Sequence, residues 1–403
     1  MKQVVITGMG AVTPLGDNWD EFKQNVFSGV SSIRKMPEWD IYKDLNTRLG
    51  APADYFEAPS HYTRKQIRSM GRVSLMATRA SEIALEAAGL TGHPVLASGQ
   101  TGIAYGSSTG STDAVKDFGN MLVNGETSGI TATTYIRMMS HTCPVNVGIF
   151  FGLKGRIITT SSACTSGSQG IGYAYEAIRS GAQVVMLAGG AEELCPSEAA
   201  VFDTLYATST RNDSPKQTPR PFDKDRDGLV IGEGAATLIL EEKEHALARG
   251  ATIIAEILGF ATNSDGGHVT QPNSETMEVA LRASLAQAGL GPSDIQYVNG
   301  HGTATDRGDI AESNATYRIF GQGPAFSTLK GHIGHTLGGC GAIEAWASIE
   351  MMRAGQFAQT LNLSNPDPDC GDLDYIIGEP RKLEAEHVMS NNFAFGGINT
   401  SLI

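Results

Sequence analysis

The 403-residue sequence predicts an α/β protein made of two duplicated halves, and three observations carry that expectation. The chain is too long for one ordinary core. Apolar, β-branched runs recur along it, several of them passing through a small-residue turn into a segment of helical period. Two pairs of segments also echo each other in the same order. Gly106-Ser-Ser-Thr109 is similar to Gly300-His-Gly-Thr303, each after an apolar strand. Glu176-Ala-Ile-Arg-Ser-Gly181 is similar to Glu350-Met-Met-Arg-Ala-Gly355, each closing a helix. The expected halves are residues 1–250 and 251–403, with candidate sites beyond the carboxyl ends of the strands.

The first expected strand, from Val4, runs into a glycine turn ending at Gly16. It is not a dinucleotide fingerprint, because Thr13 occupies the third glycine position and no acidic residue follows a second strand at the right distance. Asp20 to Phe27 reads as a helix. His61 to Ala88 reads as largely helical, with Arg64, Lys65, Arg68 and Arg72 forming a basic face that is either solvated or an anionic docking site. Gly102 to Gly110 reads as a buried strand ending in a small-residue turn.

The stretch from Arg156 to Ser180 is the centre of the reading. Ile157 to Thr160 is a short strand, and Ile171, Ala174, Tyr175 and Ile178 mark the apolar stripe of a helix. Cys164 falls at the turn between them, where the free N–H groups of a helix start favour a thiolate and lower the thiol pKa. The plainer alternative is a small buried cysteine. Val184 to Ala191 is another apolar strand. Asp223-Lys-Asp-Arg-Asp-Gly228 imitates a calcium loop, yet Gly234 stands at the twelfth position where a bidentate Glu is required, so it reads as a structural turn.

The second half is expected to open with a strand from Ile253 to Leu258. A strand after Asp294 delivers His301 at its carboxyl end. Ala325 to His335 places Lys330, His332 and His335 on a glycine loop, ahead of a helix from Cys340 to Arg353. A last strand, Val388 to Asn391, runs into Phe393-Ala-Phe-Gly-Gly-Ile-Asn399. His301 and His335 lie among glycines, where a ligand can approach, whereas His332 reads as structural. Two imidazoles that both donate N–H would make an oxyanion site.

Composition narrows the function classes. A net charge of −13 argues against a nucleic-acid surface. No apolar run reaches transmembrane length, and the first apolar stretch is too short for a signal peptide. Cysteines 143, 164, 195, 340 and 370 show no paired spacing, which fits a reducing cytoplasm better than disulfides or zinc.

Several segments, in order and over almost the whole chain, resemble the β-ketoacyl-acyl carrier protein synthases, the elongating condensing enzymes of the thiolase fold. They are Val4-Val-Ile-Thr-Gly-Met-Gly10, Thr160-Ser-Ser-Ala-Cys164, Thr210-Arg-Asn-Asp213, Pro221 to Gly234, Gly300-His-Gly-Thr-Ala-Thr305, Lys330 with Gly334-His-Thr-Leu-Gly338, and Asn392 to Asn399. The resemblance implies a thiolase-like fold of two duplicated mixed-sheet halves in α-β-α-β-α layers. It implies an acyl-accepting Cys164, a pair formed by His301 and His335 acting on a malonyl thioester, and Lys330 as a further catalytic-site residue. It implies Glu344, Thr303 and Thr305 as supporting residues. The backbone N–H groups of Cys164 and Phe395 would form an acyl oxyanion hole. Phe395, with Phe393, Gly396 and Gly397, would form a gate; the alternative is that the two phenylalanines are core aromatics.

The resemblance also implies an acyl carrier protein as partner, docked on Arg64, Lys65, Arg68 and Arg72, and no cofactor beyond the carrier's phosphopantetheine. A homodimer is expected, with a heterodimer beside a non-catalytic chain-length partner as the alternative. No membrane or nucleic-acid partner is expected. Three departures bear on substrate and partner: Gly338-Gly-Cys-Gly341 replaces the usual Gly-Ala-Ala-Gly, Thr109 stands at the acyl-pocket floor, and Tyr206 replaces a carrier-contacting arginine. Fatty-acid elongation and a specialised polyene pathway both remain open. A thiolase proper would need a second cysteine near the closing glycine motif, a starter-type enzyme carries Asn where His335 stands, and the chain-length partner lacks the nucleophile.

Overall fold

The duplication is explicit in the strand order of a computed structural model that covers residues 1–403. In the first half, β1 (Val4–Val12), β2 (Thr101–Gly106), β3 (Ile157–Thr160), β4 (Val185–Glu192) and β5 (Gly234–Glu242) lie in the spatial order β3-β2-β4-β5-β1. In the second, β6 (Phe260–Ser264), β7 (Tyr297–Asn299), β8 (Ala325–Ser327), β9 (Val388–Ala394) and β10 (Ile398–Leu402) lie in the order β8-β7-β9-β10-β6. Counted from each half's own start, both sheets read third, second, fourth, fifth, first. Strand directions repeat too: β2 is parallel to β3 and β4, as β7 is to β8 and β9, and the remaining pairings of these strands are antiparallel. The two faint sequence echoes therefore fall on equivalent units.

Each sheet gains a two-residue edge strand, Ala255–Glu256 in the first and Asp374–Tyr375 in the second. Ala255 and Glu256 pair with Ile6 and Val5 of β1. The expected strand over 253–258 is thus shorter than anticipated and belongs to the first sheet, and the second sheet starts at Phe260.

The layers are completed by α1 (Arg72–Ala87), α2 (Thr142–Phe151), α3 (Ser166–Arg179), α4 (Ser274–Ala288), α5 (Asp306–Phe320) and α6 (Cys340–Ala354). α1 and α2 cover the outer face of the first sheet, and α4, backed by α5, covers that of the second. α3 and α6 pack on each other between the sheets, which gives α-β-α-β-α. Both central helices are buried on nearly every side, as a helix covered by two sheets must be. One apolar cluster runs through both halves, joining Ile6, Ile171 and Leu238 to Tyr297, Trp346 and Leu402, so the halves share a core.

The segment expected to be largely helical is so, but its basic face is smaller than expected. The segment 61–88 is two helices, Arg64–Ile67 and then α1, separated at Gly71. A Cβ on Gly71 would lie 2.2 Å from Ser111 Oγ, so the chain turns where only glycine fits. The break sends the Arg72 guanidinium inward onto Glu233, with Nη2–Oε1 at 2.7 Å and Nε–Oε2 at 2.9 Å. Arg72 is therefore removed from the basic face, which consists of the exposed Arg64, Lys65 and Arg68.

Where α3, β4 and the loop before α6 meet, three glycines touch. A Cβ on Gly190 would lie 2.4 Å from Gly338 O and 2.7 Å from Gly167 Cα. Backbone cannot yield there as a flexible side chain would. Gly190→Ala is expected to cost about 3 kcal/mol of stability, read as a lowered denaturation midpoint; an unchanged midpoint would show that the three segments can separate.

Candidate active site

Cys164, His301 and His335 each follow the carboxyl end of a strand. β3 leads into Ser161, Ser162 and Ala163, and Ala163 turns with φ +50° before Cys164 and the first turn of α3. That left-handed backbone is costly for an alanine and is held by neighbours. Ser166 Oγ donates to Ala163 O at 2.7 Å while accepting from Ser162 N at 2.9 Å, and Thr165 Oγ1 donates to Ser162 O at 2.8 Å. The serines and threonines around the cysteine are the clasp of the elbow.

His301 follows β7. Glu312, on α5, accepts the N–H of His301 at 2.5 Å and of Gly302 at 2.8 Å, while Thr328 Oγ1 donates to His301 O at 3.2 Å. One turn earlier on α5, Asp309 accepts from Ala304 N at 3.1 Å and Phe222 N at 2.7 Å. Burial raises Asp309 to about 7 and Glu312 to about 8, against the backbone bonds that favour their charged forms. The calcium-like loop is drawn into this support. The carboxylate of Asp223 accepts from Ser364 N, Asn365 N and Asp225 N, and Arg226 reaches Asp309 and Asp367. These bonds occupy the loop's first carboxylate as a structural turn would.

His335 is pinned by its own backbone, donating to Val230 O at 2.7 Å and accepting from Gly232 N at 2.9 Å. Its Nδ1 accepts from Leu337 N at 3.3 Å. An accepting Nδ1 leaves the ring proton on Nε2, which lies 3.0 Å from Cys164 Sγ. The Nδ1 of His301 faces two donors, Lys330 Nζ and Asn392 Nδ2, each at 3.2 Å. Its proton is likewise placed on Nε2, which has no partner. The two rings stand 5.1 Å apart between centroids at 87°. Both imidazoles therefore present N–H toward the cysteine.

The charges around the rings agree with this assignment. Lys330 is paired with Glu344, and both side chains are buried. Burial works against the lysine's charge, but Glu344, with Cys340 and Glu312 behind it, holds the ammonium above its ordinary value. Burial pushes Glu344 up, yet its two oxygens accept from Lys330 and Asn392, the bonding of a carboxylate. Burial, followed by the charge of Lys330, drives both His301 and His335 well below the usual imidazole range. Both rings are neutral at physiological pH.

Cys164 departs from the sequence expectation. Burial raises its thiol to about 11, against the Phe395 N–H and the charge of Lys330, which favour the thiolate. Desolvation on every side outweighs a helix start that faces little solvent, so the resting group is a thiol. Cys164, His301 and His335 carry ligand-type atoms within 4.8 Å of one another. A metal there would have to displace both Nε2 protons toward Nδ1 atoms already facing donors, so the set is suited to donation and not to ligation.

A cavity of about 510 Å³ reaches Cys164, His301 and His335, with Thr303, Thr305 and Phe395 among its walls. The three reacting groups are nonetheless almost closed to solvent, at 3%, 4% and 1% exposed. Phe395 packs edge-on against Phe202 at 5.9 Å, and Phe393 stands 6.3 Å from His301. Behind Phe395, Gly396 and Gly397 have φ +94° and +75°, and Gly396 has open space around it. Thr303 and Thr305 bond each other at 2.9 Å. His332 bridges the Val30 and Gln359 carbonyls away from the cysteine, as a structural histidine.

Thr109 lies apart from this cavity. It is exposed in the single chain, with its hydroxyl 2.8 Å from the buried Glu198 and 3.3 Å from Glu192. Asn392, Asp309 and Glu312 were not singled out by sequence reasoning. The available signals were the position of Asn392 in the closing motif and the three-residue spacing of Asp309 and Glu312 on the helix after His301.

This fold and site define a condensing enzyme of the acyltransferase class with a thiolase-like ketosynthase architecture. The family model "Beta-ketoacyl synthase, N-terminal domain" matches residues 1–246 and "Beta-ketoacyl synthase, C-terminal domain" matches 254–364. The chain belongs to the beta-ketoacyl synthase family. A 3-oxoacyl-[acyl-carrier-protein] synthase 2 of Synechocystis sp. is 36% identical over 407 residues, covering 100% of this chain and 97% of that protein. A beta-ketoacyl synthase from Burkholderia phymatum superposes with TM-score 0.98 at 59% identity, covering 100% and 98% of the two chains. A ketosynthase in complex with its chain length factor from Xenorhabdus doucetiae has TM-score 0.83 at 26% identity, covering 100% and 97%.

The thiol assignment has a direct readout. Iodoacetamide alkylation of Cys164 is expected to be slow at pH 7 and to rise about tenfold per pH unit through pH 9 without levelling. A plateau reached near neutrality would mean a thiolate at rest.

Proposed function

We propose that this protein is a 3-oxoacyl-acyl carrier protein synthase, which joins an acyl group on Cys164 to malonyl carrier protein with loss of carbon dioxide. The observation that carries the proposal is the pair of neutral imidazoles, each with Nε2–H turned toward the same cysteine. Such a pair offers an enolate oxygen two fixed donors in a water-poor site, and one well-placed donor contributes about 3–4 kcal/mol to a transition state.

In the first half-reaction the Cys164 sulfur attacks the acyl thioester of the carrier. The acyl oxyanion is held by the N–H groups of Cys164 and Phe395, the thiol proton leaves with the carrier's thiol, and the acyl group stays on sulfur. In the second, the malonyl carboxylate departs as carbon dioxide, and the electron pair it leaves forms an enolate whose oxygen takes both Nε2–H bonds. The enolate carbon attacks the acyl carbonyl. Collapse breaks the C–S bond, and the Cys164 thiolate takes a proton from water. Lys330, Glu344 and Asn392 hold the His301 tautomer through both steps. Thr303 and Thr305 line the approach taken by the malonyl group.

Phe395 fits a gate that covers the cysteine at rest, with Gly396 and Gly397 as the residues that absorb its motion. The exposed Arg64, Lys65 and Arg68 fit an acidic carrier, since a local positive patch steers at close range despite the overall charge of −13. A carrier protein as substrate is supported by the name of the Synechocystis relative, and a chain-length partner by the Xenorhabdus complex. With its cysteine and histidines in place, the chain fits either a homodimer or the active half of a heterodimer. A cytoplasmic location agrees with a carrier-dependent reaction; no helix of the structure is long and apolar enough to cross a membrane.

Mass spectrometry after incubation with a panel of acyl carrier proteins tests the reaction. An acyl adduct is expected on Cys164 and on no other cysteine, and Cys164→Ala should fold yet fail to condense. His301→Ala and His335→Ala should lose malonyl decarboxylation by about a hundredfold or more while still acylating Cys164. Arg68→Glu should raise the KM for the carrier. Retained elongation by Cys164→Ala, or wild-type decarboxylation by either histidine variant, would contradict the assignment.

With the gate in place, Phe395→Ala should slow acylation or uncouple decarboxylation from condensation at nearly unchanged stability. A variant destabilised by about 3–5 kcal/mol, the cost of truncating a core phenylalanine, with normal turnover per folded enzyme would make Phe395 a packing residue only.

A further inference from the structure

The residue that opens α6, Cys340, is one the proposed reaction does not use, and it lies against the nucleophile. Its Sγ is 3.2 Å from the carbonyl oxygen of Cys164. On the other side, the Asn392 amide reaches the same sulfur at 3.8 Å while donating to Glu344 at 2.6 Å and to His301 at 3.2 Å. Cys340 thus stands between the group that holds His301 and the peptide that carries the nucleophile. It is 1% exposed, and burial together with the charge of Glu344 keeps its thiol protonated.

The Cys164 carbonyl needs such a donor. At the start of a helix it would ordinarily accept from the N–H four residues on, but the four-residue backbone bonds of α3 begin one residue later, with Gln169 N to Thr165 O at 2.8 Å. Without Cys340 this carbonyl would be a buried acceptor lacking a strong partner, beside an elbow already strained at Ala163.

We infer that Cys340 is a positioning residue for the nucleophile, its S–H holding the Cys164 carbonyl and thereby the peptide plane after Cys164. Fixing that plane restricts ψ of Cys164, and so the direction in which its N–H and Sγ face an incoming thioester. The inference rests on Cys164 being the acyl acceptor. It adds that the cysteine in Gly338-Gly-Cys-Gly341 serves acylation, whereas Lys330, Glu344 and Asn392 serve the histidines.

Cys340→Ala and Cys340→Ser in the full chain separate this from plain packing. The alanine variant is expected to acylate Cys164 about tenfold more slowly, the scale of a lost donor to a buried acceptor, with malonyl decarboxylation within about twofold of wild type. The serine variant, which keeps a donor at the same place, should recover acylation to within about twofold. Wild-type acylation by the alanine variant would overturn the inference. So would failure of serine to recover it, or equal loss of acylation and decarboxylation tracking a lowered melting temperature. An infrared difference spectrum between the wild type and Cys340→Ala reads the bond without any turnover. An S–H stretch below that of a free thiol is expected, and a free-thiol frequency would overturn the inference whether or not Cys164 accepts acyl groups.

Discussion

The buried ion pair of Lys330 and Glu344 is the interaction on which the rest of the site depends. A charge moved out of water costs several kcal/mol, and removing one partner of such a pair costs about 3–5 kcal/mol because the other is stranded. A pair of this kind earns little net stability. What it provides here is direction. The ammonium faces Nδ1 of His301, Asn392 adds a second donor, and the ring has only Nε2 left for its proton. The same positive charge, on top of burial, keeps both imidazoles from protonating. Burial and this lysine keep both rings neutral, Lys330 with Asn392 sets the tautomer of His301, and the Leu337 N–H sets that of His335.

The duplicated fold explains how these groups meet. Equivalent units supply them: the turn after β3 carries Cys164 and opens α3, and the loop after β8 carries His335 and leads into α6. His301 comes from the turn after β7, the counterpart of the turn after β2. α3 and α6 lie against each other between the sheets, so the two loop systems face one another across the shared core. Glycines at 167, 190 and 338 permit backbone contact at that junction. A symmetric scaffold thereby builds an asymmetric site, with a sulfur on one side and imidazoles on the other.

Much of this was legible in the sequence. Cys164, His301 and His335 each follow an apolar strand and sit among small residues, and that local pattern is enough to place them at strand ends. The echo of Gly106-Ser-Ser-Thr109 in Gly300-His-Gly-Thr303 marked the duplication, because both fall after the second strand of their half. What was not legible depends on three-dimensional surroundings. Arg72 looks like its neighbours Arg64 and Arg68 until the break at Gly71 turns it onto Glu233, 161 residues away. The Cys164 thiol was expected to ionise from its place at a helix start, but desolvation by chain from both halves outweighs the dipole. The contacts of the Thr109 hydroxyl, with the buried Glu192 and Glu198, come from another segment. Asn392 shows no chemistry in sequence, and its role appears only where its amide spans His301 and Glu344.

The central claim concerns protons, and nitrogen NMR of the histidine side chains measures them most directly. In protein carrying labelled imidazole nitrogens, with His301→Ala and His335→Ala used to assign the signals, both rings are expected to be neutral. Each should be protonated at Nε2 and unprotonated at Nδ1, unchanged between pH 6 and pH 8. An imidazolium at either position in that range, or a proton on Nδ1 of His301 or His335, would contradict the claim that the two rings form a paired donor for one oxygen.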